Sequence, residues 1–195
     1  MAPWSVNRLR RMGLMLAVAL VLTALWSAAM VHLRWLYREQ RYNKLIEQIA
    51  AKHGVDPFLV KAVIHRESEF DQFAYGSAGE IGLMQVMPTA AGLDWARTTG
   101  RKDYGRDLLW DARTNIEAGT WYLGRALRRW QNMDDPIPFA FAEYNAGLGR
   151  VQGWLPRGQE TTAEEFVQAI TIPSVRAYIE TVTDYYRSYK AAGKL

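Results

Sequence analysis

The sequence predicts an all-α protein: a single N-terminal membrane-spanning helix followed by a mostly helical domain. Three observations lead there. Residues 12–31 form a run of twenty without a charged side chain. Beyond it, apolar residues recur at helical spacing behind start signals such as Asp56-Pro57, Asp111 and Pro173. No series of alternating apolar and polar segments announces a large sheet.

The apolar run comes first. At about 1.5 Å rise per residue, twenty helical residues cover about 30 Å, the thickness of a bilayer's hydrocarbon. Arg8, Arg10 and Arg11 make residues 1–11 a basic stretch expected on the cytoplasmic side. Trp26, Trp35 and Tyr37 lie toward the other end, where amphipathic rings favour the interface. The spanning segment is placed at 12–33. Two readings stand side by side: an uncleaved anchor, or a signal peptide cut near Ser27-Ala28-Ala29. The apolar run continues past that point, which favours the anchor. Arg34 and Arg38 follow closely, so flanking charge hardly decides orientation.

Residues 34–52 read as a connecting helix with Leu45, Ile46 and Ile49 on one side, and the domain is expected over 53–195. Within it, Asp56 is a helix N-cap and Pro57 occupies the first helical position. The stretch 72–81 is irregular and suits a loop or a small β-hairpin. Asp111 opens a longer helix with Ile116, Thr120, Leu123, Leu127 and Trp130 along one stripe. Pro138 is expected to open a short apolar helix that Gly147 stops. Thr161 or Thr162 with Glu164 or Glu165 forms a capping box. Pro173 starts the last helix, with Val175, Tyr178, Ile179, Val182 and Tyr186 on one face.

Charge and composition exclude several functions. The formal net charge is +4, but residues 1–43 carry +5 and residues 44–195 carry −1. The domain itself is therefore not basic, which argues against nucleic-acid binding. There is no cysteine, so disulfides, thiolate catalysis and cysteine-based zinc sites are excluded. His32, His53 and His65 do not make a metal-binding spacing, and no metal or cofactor is expected.

Three ordered strings carry the chemistry: Glu67-Ser68, Gly82-Leu83-Met84-Gln85 and Glu143-Tyr144-Asn145-Ala146-Gly147. Val60, Val63 and Ile64 form an apolar stripe whose continuation lands on Glu67, at a helix end. Burial and the negative end of the helix dipole both disfavour its anion, as a general acid requires. The alternative is that Glu67 pairs with an arginine or frays into solvent. His65 and Arg66 are expected on other faces. Gln85 offers a donor and an acceptor suited to a sugar, or is a plain surface amide. Met84 and Met87 fill core gaps or pack on a pyranose face. Tyr144 presents a ring with a polar tip. Asn145 binds a ligand or caps its helix. Tyr178 is core or donates a hydrogen bond to Glu67.

Together, Val63-Ile64-His65-Arg66-Glu67-Ser68, Gly82-Leu83-Met84-Gln85-Val86-Met87-Pro88 and Tyr144-Asn145-Ala146-Gly147 resemble the lytic transglycosylases of the soluble-transglycosylase family. The likeness covers most of residues 44–190. It implies a lysozyme-like, mostly helical domain that cleaves peptidoglycan between N-acetylmuramic acid and N-acetylglucosamine, leaving a 1,6-anhydro end. By this resemblance Glu67 is the single catalytic acid/base and Ser68 the serine that commonly follows it. Gln85, Met87, Tyr144 and Asn145 match positions lining the sugar cleft, and Tyr178 matches a tyrosine near the acid. The expected partners are glycan strands and the membrane. The expected location is the bacterial inner membrane, single-pass, with the domain facing the periplasm; signal cleavage would instead release it there. The chain departs from the family pattern at Gly76, where a serine is frequent, with Ser77 beside it. It also departs at Ser174-Val175-Arg176, where Glu-Thr-Arg is frequent, and at Glu80, where a small residue is common. Two other activities fit the same residues: a muramidase that uses water, and a non-catalytic peptidoglycan-binding module.

Overall fold

A computed structural model describes residues 6–156 and 161–195. Residues 1–5 of the expected basic stretch lie outside the described residues. The chain divides into two compact units, Met1–Gln40 and Arg41–Leu195.

The first unit is helix α1, Val6–Arg41. It runs unbroken from the apolar stretch through residues 34–41, since no proline or glycine follows Gly13 there. Within Arg8–His53 lies a helical stretch long and apolar enough to cross a membrane, and its most apolar window, of mean hydropathy 2.3, is not buried at all. Leu14 is 67% exposed and Trp26 70%. Contiguous apolar surface of that extent calls for a non-aqueous neighbour.

The second unit begins at Arg41 rather than at residue 53. Helix α2, Asn43–His53, buries Ile46, Ile49 and Ala50 in the core, so the stripe expected on a connector is part of the domain. Helix α3, Pro57–Ser68, starts as expected: Asp56 accepts from the Phe58 N–H at 2.9 Å and Pro57 occupies the first turn. Its end is abrupt, because Glu69 (φ 49°) and Phe70 (φ 62°) both adopt the left-handed conformation. Two non-glycine residues in that region cost backbone energy, which the surroundings must offset. Phe70 is buried, at 1% exposure, and anchors the turn.

The stretch 72–81 forms no strand among the described residues. Isolated bridges, Tyr75 with Ile81 and Ile81 with Val86, fold it into successive tight turns. A wide helical turn, Pro88–Gly92, closed by Gly92 N–H donating to Met87 O at 3.0 Å, then leads into α4, Leu93–Thr98. Helix α5, Ala112–Arg129, is capped by Asp111, which accepts from the Thr114 N–H at 2.9 Å. Helix α6, Pro136–Ala146, begins two residues before the expected Pro138, because Asp135 accepts from the Ile137 N–H at 3.0 Å and Pro136 takes the first turn. Gly147 ends it and α7, Leu148–Trp154, follows. Helix α8, Ala163–Ala169, carries the capping box as Thr162 with Glu165. Helix α9, Pro173–Ala192, buries Val175, Tyr178, Ile179 and Val182.

One core unites these helices, with α3 against α9, α5 against α6 and α2, and α6 against α9. Phe139 stacks on Phe166 at 4.2 Å and on Trp130 at 5.4 Å. Polar ties bind α3 to α9, among them a hydrogen bond between Tyr189 Oη and His65 Nδ1 at 2.7 Å. At the start of α3 Asp56 accepts from Tyr186 (3.0 Å) and Lys190 (3.2 Å); at its end Glu67 accepts from Tyr178. The end of α3 is therefore fixed from the side, and the cleft opens in front of it.

Candidate active site

The second string is the part that most needs support, having no helix of its own. Gly82 has φ +77°, and a Cβ there would stand 2.5 Å from Asn115 Nδ2. Only glycine meets both demands. The next residues are held through their backbone. Ser68 Oγ donates to Leu83 O at 2.8 Å. The Met84 N–H donates to Asn115 Oδ1 at 2.8 Å, and Tyr144 Oη donates to Met84 O at 2.7 Å. Asn115, fully buried, also donates to Ile81 O (2.7 Å) and Leu109 O (2.9 Å). One residue from the first string and one from the third thus grip the second. The strings occur together because they form one hydrogen-bonded network.

A cleft of about 550 Å³ lies over this network, lined by Glu67, Gly76, Glu80, Gln85, Met87, Tyr122, Arg125, Tyr144 and Asn145 among others. Glu67 Oε1 accepts from Tyr178 Oη at 2.6 Å. Burial pushes its carboxyl up from the ordinary 4.5 to about 7; the Tyr178 hydrogen bond and the Arg66 charge oppose this, and the Glu80 charge adds to it. Near neutral pH the group is therefore poised to give or take a proton. Burial, then the Glu67 charge, push the Tyr178 hydroxyl well above its usual value, so it stays a donor. Tyr144 is raised the same way. Arg66 is not wholly turned away as expected, since its guanidinium lies 5.5 Å from the centre of the Tyr178 ring. His65 does point elsewhere, stacked on Tyr185 at 3.8 Å.

The expected site residues take different roles. Glu67, Gln85, Met87, Tyr144 and Asn145 meet in the cleft wall. Ser68 does not line it; its hydroxyl is committed to the carbonyls of Leu83 and Ile64. Tyr178 lies behind Glu67, buried. Gln85, at φ 44°, donates Nε2 to Ala74 O (3.1 Å) and Gly82 O (2.9 Å), which leaves its oxygen as the group for a ligand. Asn145 is exposed, and Gly147 rather than Asn145 caps α6. Met84 is core, whereas Met87 reaches the cleft. Glu143 is fully buried and paired with Arg129 (3.2 Å) and Trp130 (2.8 Å), a structural role.

Tyr122, Arg125 and Asp94 were not anticipated. Asp94 pairs with Arg125 at 3.4 Å, and the guanidinium lies 4.9 Å from the Tyr122 ring centre. For Tyr122 and Arg125 the available signal was their i, i+3 spacing on α5, off the apolar stripe; Asp94 lies on α4 and gave none. Asn115 was missed too; it shares the core register of Gly119 and Leu123.

A mostly helical domain with one buried, poised carboxylic acid facing a cleft defines a class, that of proteins equipped for acid–base chemistry on a bound ligand. Comparison makes the class specific: the chain belongs to the Transglycosylase SLT domain family, whose profile matches residues 44–167. It is 36% identical over 124 residues to membrane-bound lytic murein transglycosylase F of Desulfosudis oleivorans, covering 62% of this chain and 25% of that one. It is 35% identical over 122 residues to membrane-bound lytic murein transglycosylase C of Glaesserella parasuis, covering 58% and 33%. Among solved structures, an inactive glutamate-to-glutamine mutant of lytic transglycosylase Slt from Pseudomonas aeruginosa superposes with TM-score 0.69 at 26% identity, over 76% of this chain and 24% of that one. A complex of the 70-kDa soluble lytic transglycosylase with bulgecin A superposes with TM-score 0.70 at 30% identity, over 77% and 24%. The chain spans a quarter to a third of the length of these relatives.

Proposed function

We propose that the domain is a peptidoglycan lytic transglycosylase that cleaves the β-1,4 bond between N-acetylmuramic acid and N-acetylglucosamine, with Glu67 as the single acid and base. The observation that carries this reading is the Glu67 carboxyl, held at about 7 in a cleft that also presents Gln85 and Asn145. Protonated Glu67 donates to the bridging oxygen, and the bond to the muramyl anomeric carbon breaks. The muramyl N-acetyl group stabilises the positive charge left there. Ionised Glu67 then takes the proton of the sugar's own 6-hydroxyl as that oxygen bonds to the anomeric carbon. The product is a 1,6-anhydro end, no water is consumed and Glu67 regains its proton. Intramolecular attack avoids recruiting a second molecule, an advantage of about 7–11 kcal/mol at its largest. While Glu67 is ionised, Tyr178 and Arg66 stabilise the anion.

The same reading takes α1 as a single-pass anchor in the bacterial inner membrane, with the domain in the periplasm where the glycan lies. The unburied apolar surface of α1 and the membrane-bound relatives support it. Glu67→Gln is expected to abolish release of anhydro-muropeptides from purified sacculi, measured by mass spectrometry, while the circular dichroism spectrum is kept. Wild-type turnover by that variant, or products with reducing muramyl ends from the wild type, would overturn the mechanism.

A further inference from the structure

The cleft holds a second glutamate that the reaction just described does not use. Glu80 lines it together with Glu67. Its Oε2 accepts from the Ala78 N–H at 3.0 Å, which folds the side chain back over its own loop. The space it fills exists because residue 76 has no side chain. A Cβ on Gly76 would stand 2.2 Å from Glu80 Oε2 and 2.7 Å from Gln85 Oε1. Gly76 does not adopt a positive φ, so room and not backbone freedom explains the glycine. Gly76 and Glu80 are also two of the positions where the resemblance drawn from sequence implied other residues. The departures interlock, because a side chain at 76 and a carboxylate at 80 compete for one space.

We infer that Gly76 and Glu80 act as a pair and that Glu80 is a positioning residue for Glu67: lodged over Gly76, its carboxylate sets a like charge in the cleft that keeps the proton on the acid. The inference rests on the reading of Glu67 as the acid and base. Two carboxyl groups sharing one cleft resist ionising together. The direction agrees with the effect of Glu80 on Glu67, which reinforces that of burial. The other groups around Glu67 do not supply this effect. Tyr178 and Arg66 favour the anion. Tyr144 and Tyr122 are phenols whose own ionisation burial suppresses. Asp94 is paired with Arg125, so its charge is largely offset. Glu80 accepts its hydrogen bond from backbone, and among the described residues no cation pairs with it.

The test is the alkaline limb of the pH–rate profile of the full chain in detergent, each variant scaled to its own plateau. Glu80→Gln keeps an acceptor for the Ala78 N–H and removes the charge. Gly76→Ala fills the space, displacing only the ends of two flexible side chains. Glu80→Gln is expected to move the limb to lower pH, leaving roughly two- to fourfold less scaled activity at pH 8; Gly76→Ala, which displaces the charge without removing it, moves it the same way by no more than that, and the double variant matches Glu80→Gln. Salt screens Arg66 in both forms and Glu80 in the wild type alone, so the gap between the wild-type and Glu80→Gln limbs is expected to close as the salt concentration rises. Superimposable limbs for wild type and Glu80→Gln overturn the inference, and additive shifts in the double variant overturn the pairing. The carbon-13 shift of the Glu67 side-chain carboxyl gives a readout independent of turnover. Its titration midpoint falls in both variants if the inference holds and stays put if it fails. A wild type that releases no product would sink the proposed function, and the carboxyl titration would still decide the role of Glu80.

Discussion

Along one wall of the cleft, residues 76–87, the chain forms no α-helix, and its shape comes from hydrogen bonds between buried side chains and backbone. Along the other, α5 and α6 present Tyr122, Arg125, Tyr144 and Asn145 from helices that side-chain packing already holds. The difference matters because a hydrogen bond constrains direction and distance, whereas apolar packing is mostly non-directional. The loop wall can therefore hold strained residues such as Gln85 at φ 44° in a fixed place. The same wall fails as a unit when one of its few polar supports is lost.

Two substitutions separate the walls. Asn115→Ala removes partners from Met84 N–H, Ile81 O and Leu109 O, all in a buried setting. The expected loss is about 3–5 kcal/mol, with activity gone even where the helices remain folded. Leu123→Ala, equally buried on α5, costs about 2–4 kcal/mol through the cavity it leaves, yet activity at 25 °C persists. Urea denaturation alongside sacculus digestion reads both. Equal retention of activity in the two variants would mean that the loop wall does not depend on its network.

The helical part was the more legible in sequence. Asp56-Pro57, Asp111, Thr162 with Glu165 and Pro173 act locally, through caps and first-turn prolines, so a local reading finds them. Pro138 misled by two residues because Pro136 satisfies the same rule and Asp135 supplies the cap. The start of the domain misled because an amphipathic stripe shows that a helix buries one face without showing against what. In the site, residue types were legible while roles were not. Ser68 and Tyr144 are polar residues whose hydroxyls turned out to serve the backbone of a distant string. Asp94 and Arg125 depend on how α4 and α5 meet, which no local pattern encodes. Glu80 enters the cleft only because Gly76 vacates a space four residues earlier, a relation between departures that neither residue reveals alone.

Glu67 stands where the walls meet, and its titration sharpens the comparison. Its folded value is about 7 against an ordinary 4.5. Below pH 4.5 both folded and unfolded chains hold the proton, and burial of the neutral acid carries no ionisation penalty. As pH rises through 7 the folded chain must ionise a partly buried group, so stability is lost across that window. Allowing for solvent in the cleft, the loss is on the order of 2 kcal/mol. Glu67→Gln lacks this titration. It should match the wild type at pH 4 and exceed its unfolding free energy by that amount at pH 8, measured by urea denaturation. Parallel stability curves would mean that Glu67 is solvated and not poised as an acid.

The smallest change expected in stability has a disproportionate effect on rate. Ser68→Ala deletes one hydroxyl, shared between Leu83 O at 2.8 Å and Ile64 O at 3.1 Å. The stability cost is about 1 kcal/mol, a drop of about 2–4 °C in Tm for a domain of this size. Yet that hydroxyl ties the end of α3, which carries Glu67, to the loop wall, which carries Gln85. Slack between them lets the acid and the bound sugar drift out of register, and kcat is expected to fall roughly tenfold. Ser68→Thr keeps the hydroxyl and should recover most of the rate. A rate loss no larger than the stability loss predicts, or no recovery with threonine, would make Ser68 a packing residue and leave the strained turn after α3 as the element that holds Glu67 in register with the loop wall.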